Sequence, residues 1–398
     1  MGKKRNKANT TFRKIIRNTH LVLGLGSGLI IFIMAVTGCL WAFQEEIEAF
    51  TSPLPEIQMQ NAAVIPPVEA RRLAHEVFPG RMVHGTLYGA ANDPVKVIFY
   101  ELEPEFYHTV YLHPYTGKVL HIDNNLTGFF PFVLEGHRYL WLPKPIGEQL
   151  VQWSTVIFAV MLLTGIVLWW PKNRKNRRQR YTLDWKETTK WKRKNYDLHS
   201  VIGFYISFIA VIIVFTGLVM AFESFKAGTY YSLGGQKETL WRVPENNATT
   251  NQIALNGNGM DLLFNKLRSE YPQAVDLEFH YPATEEEAIY VEIGYEEGIY
   301  YNADYRFYDQ NTLEEITSPT IYGVYAETGF PEKVMRMNYD IHVGAIGGLP
   351  GKVLAFFASL ICASLPVTGF LLWYGRTYKK KPVQLKPTRK KRVAVPVD

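Results

Sequence analysis

Four long apolar stretches alternate with two long polar segments along this chain. The stretches are Leu21–Phe43, Leu150–Trp170, Val201–Phe222 and Val353–Tyr374, and they carry essentially no lysine or arginine. A helix needs about 20 apolar residues to cross the roughly 30 Å hydrocarbon core of a bilayer. The pattern therefore predicts an integral membrane α-helical protein with four transmembrane helices, and it is atypical of a soluble enzyme.

The polar segments predict two small α+β modules outside the membrane. Amphipathic helices are expected at Val68–Phe78 and Leu262–Glu270, each followed by strand patterns. The second set of strands is expected at Ala288–Ile293, Gly298–Ala303 and Tyr305–Tyr308. The chain is predicted to begin with a basic segment (1–17), a first span (18–43), the first module with an interfacial segment (44–147) and a second span (148–171). A basic loop (172–197), a third span (198–222), the second module (223–350), a fourth span (351–375) and a basic tail (376–398) follow.

Positive charge predicts the orientation of these spans. Residues 1–17, 171–195 and 375–398 contain 27 of the 43 lysines and arginines. Because short basic segments are retained on the cytoplasmic side, we expect both termini inside and both modules outside. Attraction to anionic lipid explains the basic runs without a nucleic-acid partner. An alternative for the first span is a cleaved signal, since Val36–Cys39 loosely resembles a lipoprotein cleavage box.

A long internal repeat runs through the chain. His20-x-x-x-Gly24 followed by Thr37-Gly38 recurs as His199-x-x-x-Gly203 followed by Thr216-Gly217, with every position shifted by the same interval. In the other two spans, His137 and His342 precede the pairs Thr164-Gly165 and Thr368-Gly369 at nearly equal intervals. The repeat predicts a duplicated 2+2 arrangement about a pseudo-two-fold axis along the membrane normal.

Histidines at membrane depth are rare and usually functional. The four repeated histidines are candidates for haem-iron ligands, a proton relay or structural polar contacts. Two ligands of one iron must approach it from opposite faces, and about 30 Å of hydrocarbon separates the two histidines of one repeat. Pairing across the repeats, His20 with His199 and His137 with His342, is the arrangement that distance allows.

Small and basic residues accompany these histidines. Gly24 and Gly203 lie one turn after the inner histidines, and Gly38 and Gly217 return to the same helix face near the outer depth. They leave room for a macrocycle or serve close helix packing. Arg17 and Arg138 are candidate partners of haem propionates, with anchoring at the interface as the alternative.

The remaining side chains predict little further metal chemistry. Six histidines lie in the outer modules, where a surface or structural role is favoured over a zinc site formed by His108, His113 and His121. Cys39 and Cys362 form no CxxCH motif, so any haem is held non-covalently. The six are His75, His84, His108, His113, His121 and His280.

These motifs resemble those of the PepSY-associated transmembrane family, which includes bacterial iron-regulated inner-membrane proteins and ferric-siderophore reductases. The resemblance rests on the His-x-x-x-Gly and Thr-Gly pairs, the Thr-Gly-x-x-Leu-Trp exits, and the turn at Tyr111–Leu120. It implies an inner-membrane protein with two b haems on His20, His199, His137 and His342. It also implies electron transfer from the cytoplasmic side to a periplasmic ferric siderophore or other ferric chelate.

The electron donor must then be a separate cytoplasmic partner or a membrane quinol. The basic loops are too short for a nucleotide-binding domain, and neither contains GxGxxG after a strand. A rival hypothesis is a non-redox PepSY anchor that binds a periplasmic protein or peptide. A transporter with a histidine proton path is a third, disfavoured by the absence of Asp and Glu from the four spans.

Overall fold

The computed structural model describes residues 7–51, 54–171, 177–246 and 258–378. Parts of the basic segments, at 1–6, 172–176 and 379–398, lie outside these ranges, as does 247–257 of the polar loop in the second module. In chain order, the helices are α1 (Lys7–Trp41), α2 (Gln44–Thr51), α3 (Pro67–Val77), α4 (Phe129–Tyr139), α5 (Lys144–Trp169), α6 (Arg178–Tyr181), α7 (Trp191–Asp197), α8 (Gly203–Ala221), α9 (Glu223–Ser232), α10 (Gly259–Glu270), α11 (Phe330–Arg336), α12 (Asn338–Val343) and α13 (Gly348–Thr377).

Within the part of the chain that the structure describes, four helical segments are long and apolar enough to cross a membrane: Thr11–Trp41, Lys144–Trp169, Trp191–Ala221 and Ala345–Thr377. Helix α1 packs against α5 and α13, and α8 packs against the same two helices. No more than a third of each apolar window is buried within the protein, so the remaining apolar surface suits lipid. The chain is a multi-pass membrane protein, as the hydropathy pattern predicts.

The interior of the bundle is a seam of aliphatic and small side chains. It joins α5, α8 and α13, and alanines allow these helices to approach closely. Its buried members are Leu162, Ile206, Ala210, Val214, Ala358 and Cys362.

The two long polar segments form one continuous antiparallel sheet instead of the two separate modules predicted from the sequence. The strands are β1 (Val83–Tyr88), β2 (Val95–Leu102), β3 (Glu105–Leu112), β4 (Val119–Asn124), β5 (Asp276–His280), β6 (Ile289–Gly294), β7 (Ala303–Tyr308) and β8 (Glu315–Ile316). Their order is β4-β3-β2-β1-β5-β6-β7-β8. The two halves therefore join where β1 pairs with β5.

The register at this junction is symmetric. Gly85 pairs with His280 and Leu87 pairs with Glu278, on either side of the pair formed by Thr86 and Phe279. Helices α3 and α10 cover one face of the sheet, and their apolar side chains share a single core with the strands. The sheet thus ties the first half of the chain to the second.

Four details of the sheet differ from the sequence-based expectation. Strands β1, β5 and the two-residue β8 are not predicted by the sequence, and the strand expected at Gly298–Ala303 is wrong. Gly298 has a positive φ of 69°, and the backbone amides of Tyr300 and Tyr301 donate to the carboxylate of Asp340. Because these amides bond a side chain, they cannot join a strand ladder.

Polar contacts link α2, which follows the first membrane helix, to α13 and to the segment between β6 and β7, where the hydroxyl of Tyr300 donates to Glu45 over 2.9 Å. The ammonium group of Lys352, at the start of α13, lies 2.6 Å from a carboxylate oxygen of Glu45 and 2.9 Å from one of Glu46. The indole of Trp41 donates to the hydroxyl of Tyr339 over 3.2 Å. Together with the bonds from Tyr300 and Tyr301 to Asp340, the Trp41–Tyr339 contact fixes α12, which carries His342, between the bundle and the sheet.

Candidate functional site

The four repeated histidines form two pairs at the two ends of the bundle. The pair at the end of the bundle away from the sheet, here called the far pair, is His20 of α1 and His199. Their ring centroids are 6.4 Å apart, with planes at 81°. His199 lies in a π-helical turn, Leu198–Ile202, between α7 and α8. Such turns are rare and are frequent at functional sites.

The sheet-side pair is His137 and His342. Their ring centroids are 6.3 Å apart, with planes at 68°. His137 lies in the last turn of α4, which ends at Leu140 in a left-handed conformation before α5 begins. His342 lies in α12, which ends at Gly344 in the same conformation before α13. Both histidines thus lie on short helices that break just before a span.

Every one of these histidines is held by the threonine of a Thr-Gly pair on another helix. The four Nδ1–Oγ1 distances are 2.9 Å for His20 with Thr164, 2.9 Å for His199 with Thr368, 3.3 Å for His137 with Thr37 and 2.9 Å for His342 with Thr216. The sequence repeat contains these threonines, but their contact with the histidines was not anticipated from it.

A backbone carbonyl fixes the tautomer of each ring. The carbonyl oxygen three residues before the threonine also contacts Nδ1, at 2.9 Å from Met34 to His137 and 3.1 Å from Ile213 to His342. The carbonyls of Met161 and Leu365, at the same position relative to Thr164 and Thr368, also hydrogen-bond the rings of His20 and His199. Because a carbonyl can only accept, Nδ1 carries the proton. The lone pair of each neutral imidazole is therefore on Nε2.

Glycines make room for these rings. A Cβ atom at Gly38 would lie 3.0 Å from Cε1 of His137, and one at Gly217 would lie 3.3 Å from Cε1 of His342. Gly165 and Gly369 lie against His20 and His199 in the same way, with corresponding distances of 3.5 and 3.2 Å. The last two glycines were not among the sequence-based candidates, although their Thr-Gly motif was visible.

Gly24 and Gly203 make a different kind of contact. They lie against the side chains of Met161 and Leu365, the residues whose carbonyls contact the far pair. These glycines therefore allow the neighbouring helix to come close enough to hold each histidine.

The two arginine candidates are both exposed. Arg17 lies on α1, three residues before His20. Arg138 follows His137, and its guanidinium carbon lies 5.1 Å from the centroid of the Tyr139 ring. Neither is buried in the bundle.

Residues 17–376 match the family model described as the PepSY-associated TM region. The chain belongs to that family. This confirms the family predicted from the motifs, and the matched region contains all four histidines of the two pairs. A search of curated proteins finds no match to this PepSY-associated protein.

A cavity of about 780 Å³ lies beside the sheet, on the face opposite α3 and α10. Tyr290, Glu292 and Tyr305 of the sheet form one wall, and Glu223 and Tyr231 of α9 contribute to another. Helix α9 begins directly after α8 leaves the bundle. The cavity therefore lies between the sheet and the sheet-side end of the membrane helices.

Proposed function

We propose that this PepSY-associated protein binds two b haems, one at each histidine pair, and passes single electrons across a bacterial inner membrane to a periplasmic ferric chelate. The observation that carries the proposal is the fourfold anchoring of Nδ1, which leaves Nε2 as the lone-pair nitrogen of four rings that lie in two close pairs. Metal-binding histidines commonly donate their other ring N–H to an oxygen, and this bond sets the ring orientation.

The ring separations suit two imidazoles on opposite sides of one metal ion. Metal–imidazole bonds are about 2 Å long, so two rings bound in line have centroids roughly 6 Å apart. The observed separations are 6.4 and 6.3 Å. The crossing angle of the planes is not restricted, because each ring can rotate about its own bond to the metal.

When bound, haem supplies a one-electron carrier whose potential depends on its axial ligands and surroundings. The protein's part is to orient these ligands and exclude water. The threonines and carbonyls hold the imidazoles, and the aliphatic seam of α5, α8 and α13 fills the space between the pairs. Arg17 and Arg138 are our candidates for propionate partners.

The spacing of the pairs suits transfer across a bilayer. Gly38, which touches His137, follows His20 on the same helix, α1. The interval between these two positions corresponds to about 27 Å along a helix, close to the roughly 30 Å hydrocarbon thickness. Each pair takes one histidine from each half of the chain, which supports the duplicated 2+2 arrangement.

The basic segments support an orientation with both termini in the cytoplasm and the sheet in the periplasm. In that orientation the far pair receives electrons from a cytoplasmic protein or a membrane quinol. The sheet-side pair is then nearest to the substrate.

The substrate proposal rests on the cavity and on iron chemistry. Fe(III) chelates use hard oxygen ligands, and reduction to Fe(II) weakens their grip on the metal. The cavity volume, about 780 Å³, is within the range of small-molecule sites. Its walls carry Glu223, Glu238 and Glu292 beside Lys226. This excess of acids favours a neutral or cationic chelate over an anionic one.

The test is to purify the chain and record oxidised and dithionite-reduced spectra with a pyridine haemochrome count. We expect about two low-spin b haems per chain. His20→Ala and His342→Ala should each remove one haem while the other remains. Mixing the reduced protein with a ferric siderophore and a ferrous trap should reoxidise the haems and release Fe(II).

A folded preparation without haem, from haem-sufficient cells, would overturn the proposal. The non-redox PepSY anchor, which binds a periplasmic protein or peptide, would then be the working hypothesis. Haem without reoxidation by any ferric chelate would reject the substrate and leave the haem sites.

A further inference from the structure

A cluster of two carboxylates and one imidazole lies on the cavity face of the sheet. Glu278 and His280 come from β5 and Glu292 from β6, and their ligand atoms all lie within 4.8 Å of one another. The alternate residues of β5, Leu277 and Phe279, are buried in the core under α3 and α10. The cluster was not found from the sequence, where His280 was assigned to the structural histidines.

His280 has a ring nitrogen without a partner. Its Nε2 atom is buried and makes no hydrogen bond within the described residues, and it lies 3.6 Å from Oε1 of Glu278. Its Nδ1 atom lies 3.3 Å from Nε2 of His84. A metal-bound histidine has this pattern, with one nitrogen on the metal and the other hydrogen-bonded to a neighbour.

Two tyrosines hold Glu292 in place. The hydroxyls of Tyr290 and Tyr305 each donate to a different carboxylate oxygen, both at 2.9 Å. The ring of Tyr290 also stacks on His280, with centroids 4.2 Å apart. Metal-binding carboxylates are commonly oriented by such hydrogen bonds, and each oxygen retains a lone pair for a ligand.

The electrostatics of the cluster favour a cation. Burial, with the nearby charges of Glu292 and Asp276, raises the pKa of Glu278 to about 8. Burial and His84 lower the pKa of His280 to about 3, so its imidazole is neutral. The positive charge of Lys96 partly lowers the pKa of Glu278, and that of Arg336 partly lowers the pKa of Glu292. Glu278 therefore holds a proton near neutral pH when no cation is bound, and a metal ion would take the place of that proton.

Among the described residues, the other half of the sheet has no such cluster. Counted from the prolines that follow α3 and α10, Pro79 and Pro272, the positions that correspond to Glu278 and His280 are Gly85 and Leu87, and Thr86 corresponds to Phe279. Gly85 pairs with Ile98 of β2, as Glu278 pairs with Glu292. Apolar residues and glycine therefore satisfy the same fold, so the fold itself does not require the acids and the histidine.

We propose that Glu278, His280 and Glu292 bind a divalent first-row transition-metal cation. Two carboxylates and one imidazole are an oxygen and nitrogen donor set suited to such ions. Metal–ligand bonds of about 2.0–2.2 Å require only small side-chain rotations from the present spacing. Glu292 lines the cavity, which provides the entry path. The site does not depend on the haem proposal.

The experiment uses the full chain in detergent, without a polyhistidine tag and stripped with a chelator. Equilibrium dialysis against Zn²⁺ is followed by elemental analysis, and haem iron is counted separately on the same sample. We expect one Zn²⁺ per chain. The double variant Glu278→Gln/Glu292→Gln and the single variant His280→Gln should bind at least about tenfold more weakly.

The matched control is Glu314→Gln, which removes an exposed carboxylate from the same module. It should bind Zn²⁺ like the wild type. The double variant is isosteric and removes like-charge repulsion, so its metal-free Tm should be no lower than that of the wild type. Zn²⁺ should raise the Tm of the wild type and not that of the double variant.

Absence of stoichiometric Zn²⁺ in the wild type would overturn the proposal. Equal uptake by the wild type and the double variant would also overturn it. In haem-free protein, Zn²⁺ bound at the histidine pairs would persist in the double variant. The difference of one Zn²⁺ between the wild type and the double variant is therefore the readout with or without haem. A failure here therefore differs visibly from a failure to find haem.

Discussion

The Nδ1 atom of His199 lies 2.9 Å from the Oγ1 atom of Thr368, across the contact between the third and fourth membrane helices. The threonine hydroxyl in turn donates to the Ser364 carbonyl one turn earlier, over 3.0 Å. The ring orientation of His199 is therefore set by a hydrogen-bonded residue of a packed helix. Each of the other three histidines has the same arrangement, which makes these threonines direct targets for testing the proposed haem sites.

Thr368→Val should weaken haem binding at the far pair. Valine keeps the shape but cannot accept the Nδ1–H bond, so His199 loses an orienting partner. Loss of such a partner typically costs about 10–100-fold in metal affinity. Titration of haem-depleted protein with haemin measures the change. Thr377→Val is the control, because that hydroxyl bonds the Trp373 carbonyl of its own helix. Equal affinities for the two variants would contradict the anchoring role.

Gly38→Ala should displace His137. The added methyl group would lie 3.0 Å from Cε1 of the ring, which forces either the ring or the helix to move. We expect a haemochrome count reduced by half, with loss from the sheet-side pair. Gly26→Ala on the same helix is the control, since nothing lies within 4 Å of its new Cβ. An unchanged count in Gly38→Ala would show that His137 does not need its present position.

Lys352→Met should loosen the attachment of the sheet to the bundle. Lys352 is 7% exposed and bonds Glu45 and Glu46, so its loss leaves two carboxylates without their partner. Hydrogen bonds to charged groups are worth about 1.5–3 kcal/mol, and the partial exposure of the acids favours the lower end. Lys144→Met removes an exposed pair with Glu105 and should cost at most about 1 kcal/mol. Chemical denaturation measures the free energy of unfolding of both variants. Equal losses of stability would contradict the role of Lys352 in attaching the sheet to the bundle.

Cysteine labelling tests the orientation. Glu314→Cys lies in the sheet module and Glu187→Cys in the loop before α7, and both positions are exposed. A membrane-impermeant maleimide should label Glu314→Cys in intact spheroplasts and Glu187→Cys only after lysis. The native Cys39 and Cys362 are buried and provide the unlabelled background. The opposite pattern would reverse the proposed direction of electron flow.

Local sequence signals predict much of the membrane part and less of the outer part. The spans follow from hydropathy. The internal repeat, together with the distance across the membrane, selects the same histidine pairs that the structure brings together. The contacts between Thr164 and His20, or Thr368 and His199, join distant segments, so only the repeat of the Thr-Gly motif hinted at them. The π-helical turn at His199 has no distinct sequence pattern.

The outer strands were harder to predict because their polar residues face a cavity. In β5, Asp276, Glu278 and His280 alternate with only two core residues, which weakens the strand signal. The tyrosines at 300 and 301 suggest a strand, but the Asp340 carboxylate binds their amides. The joining of β1 to β5 is a tertiary event between segments from opposite halves of the chain, and local propensity does not encode it.

The symmetric pairing of β1 with β5 also bears on how such a chain could arise. A strand that pairs antiparallel with its counterpart about a central position, here Thr86 opposite Phe279, can equally pair with an identical copy of itself. A polypeptide of half this length would then assemble as a homodimer, with one histidine of each pair supplied by each subunit. Fusion of the two genes would free each half to diverge. The acids Glu278 and Glu292, where the other half has Gly85 and Ile98, are the kind of asymmetry that a homodimer cannot acquire.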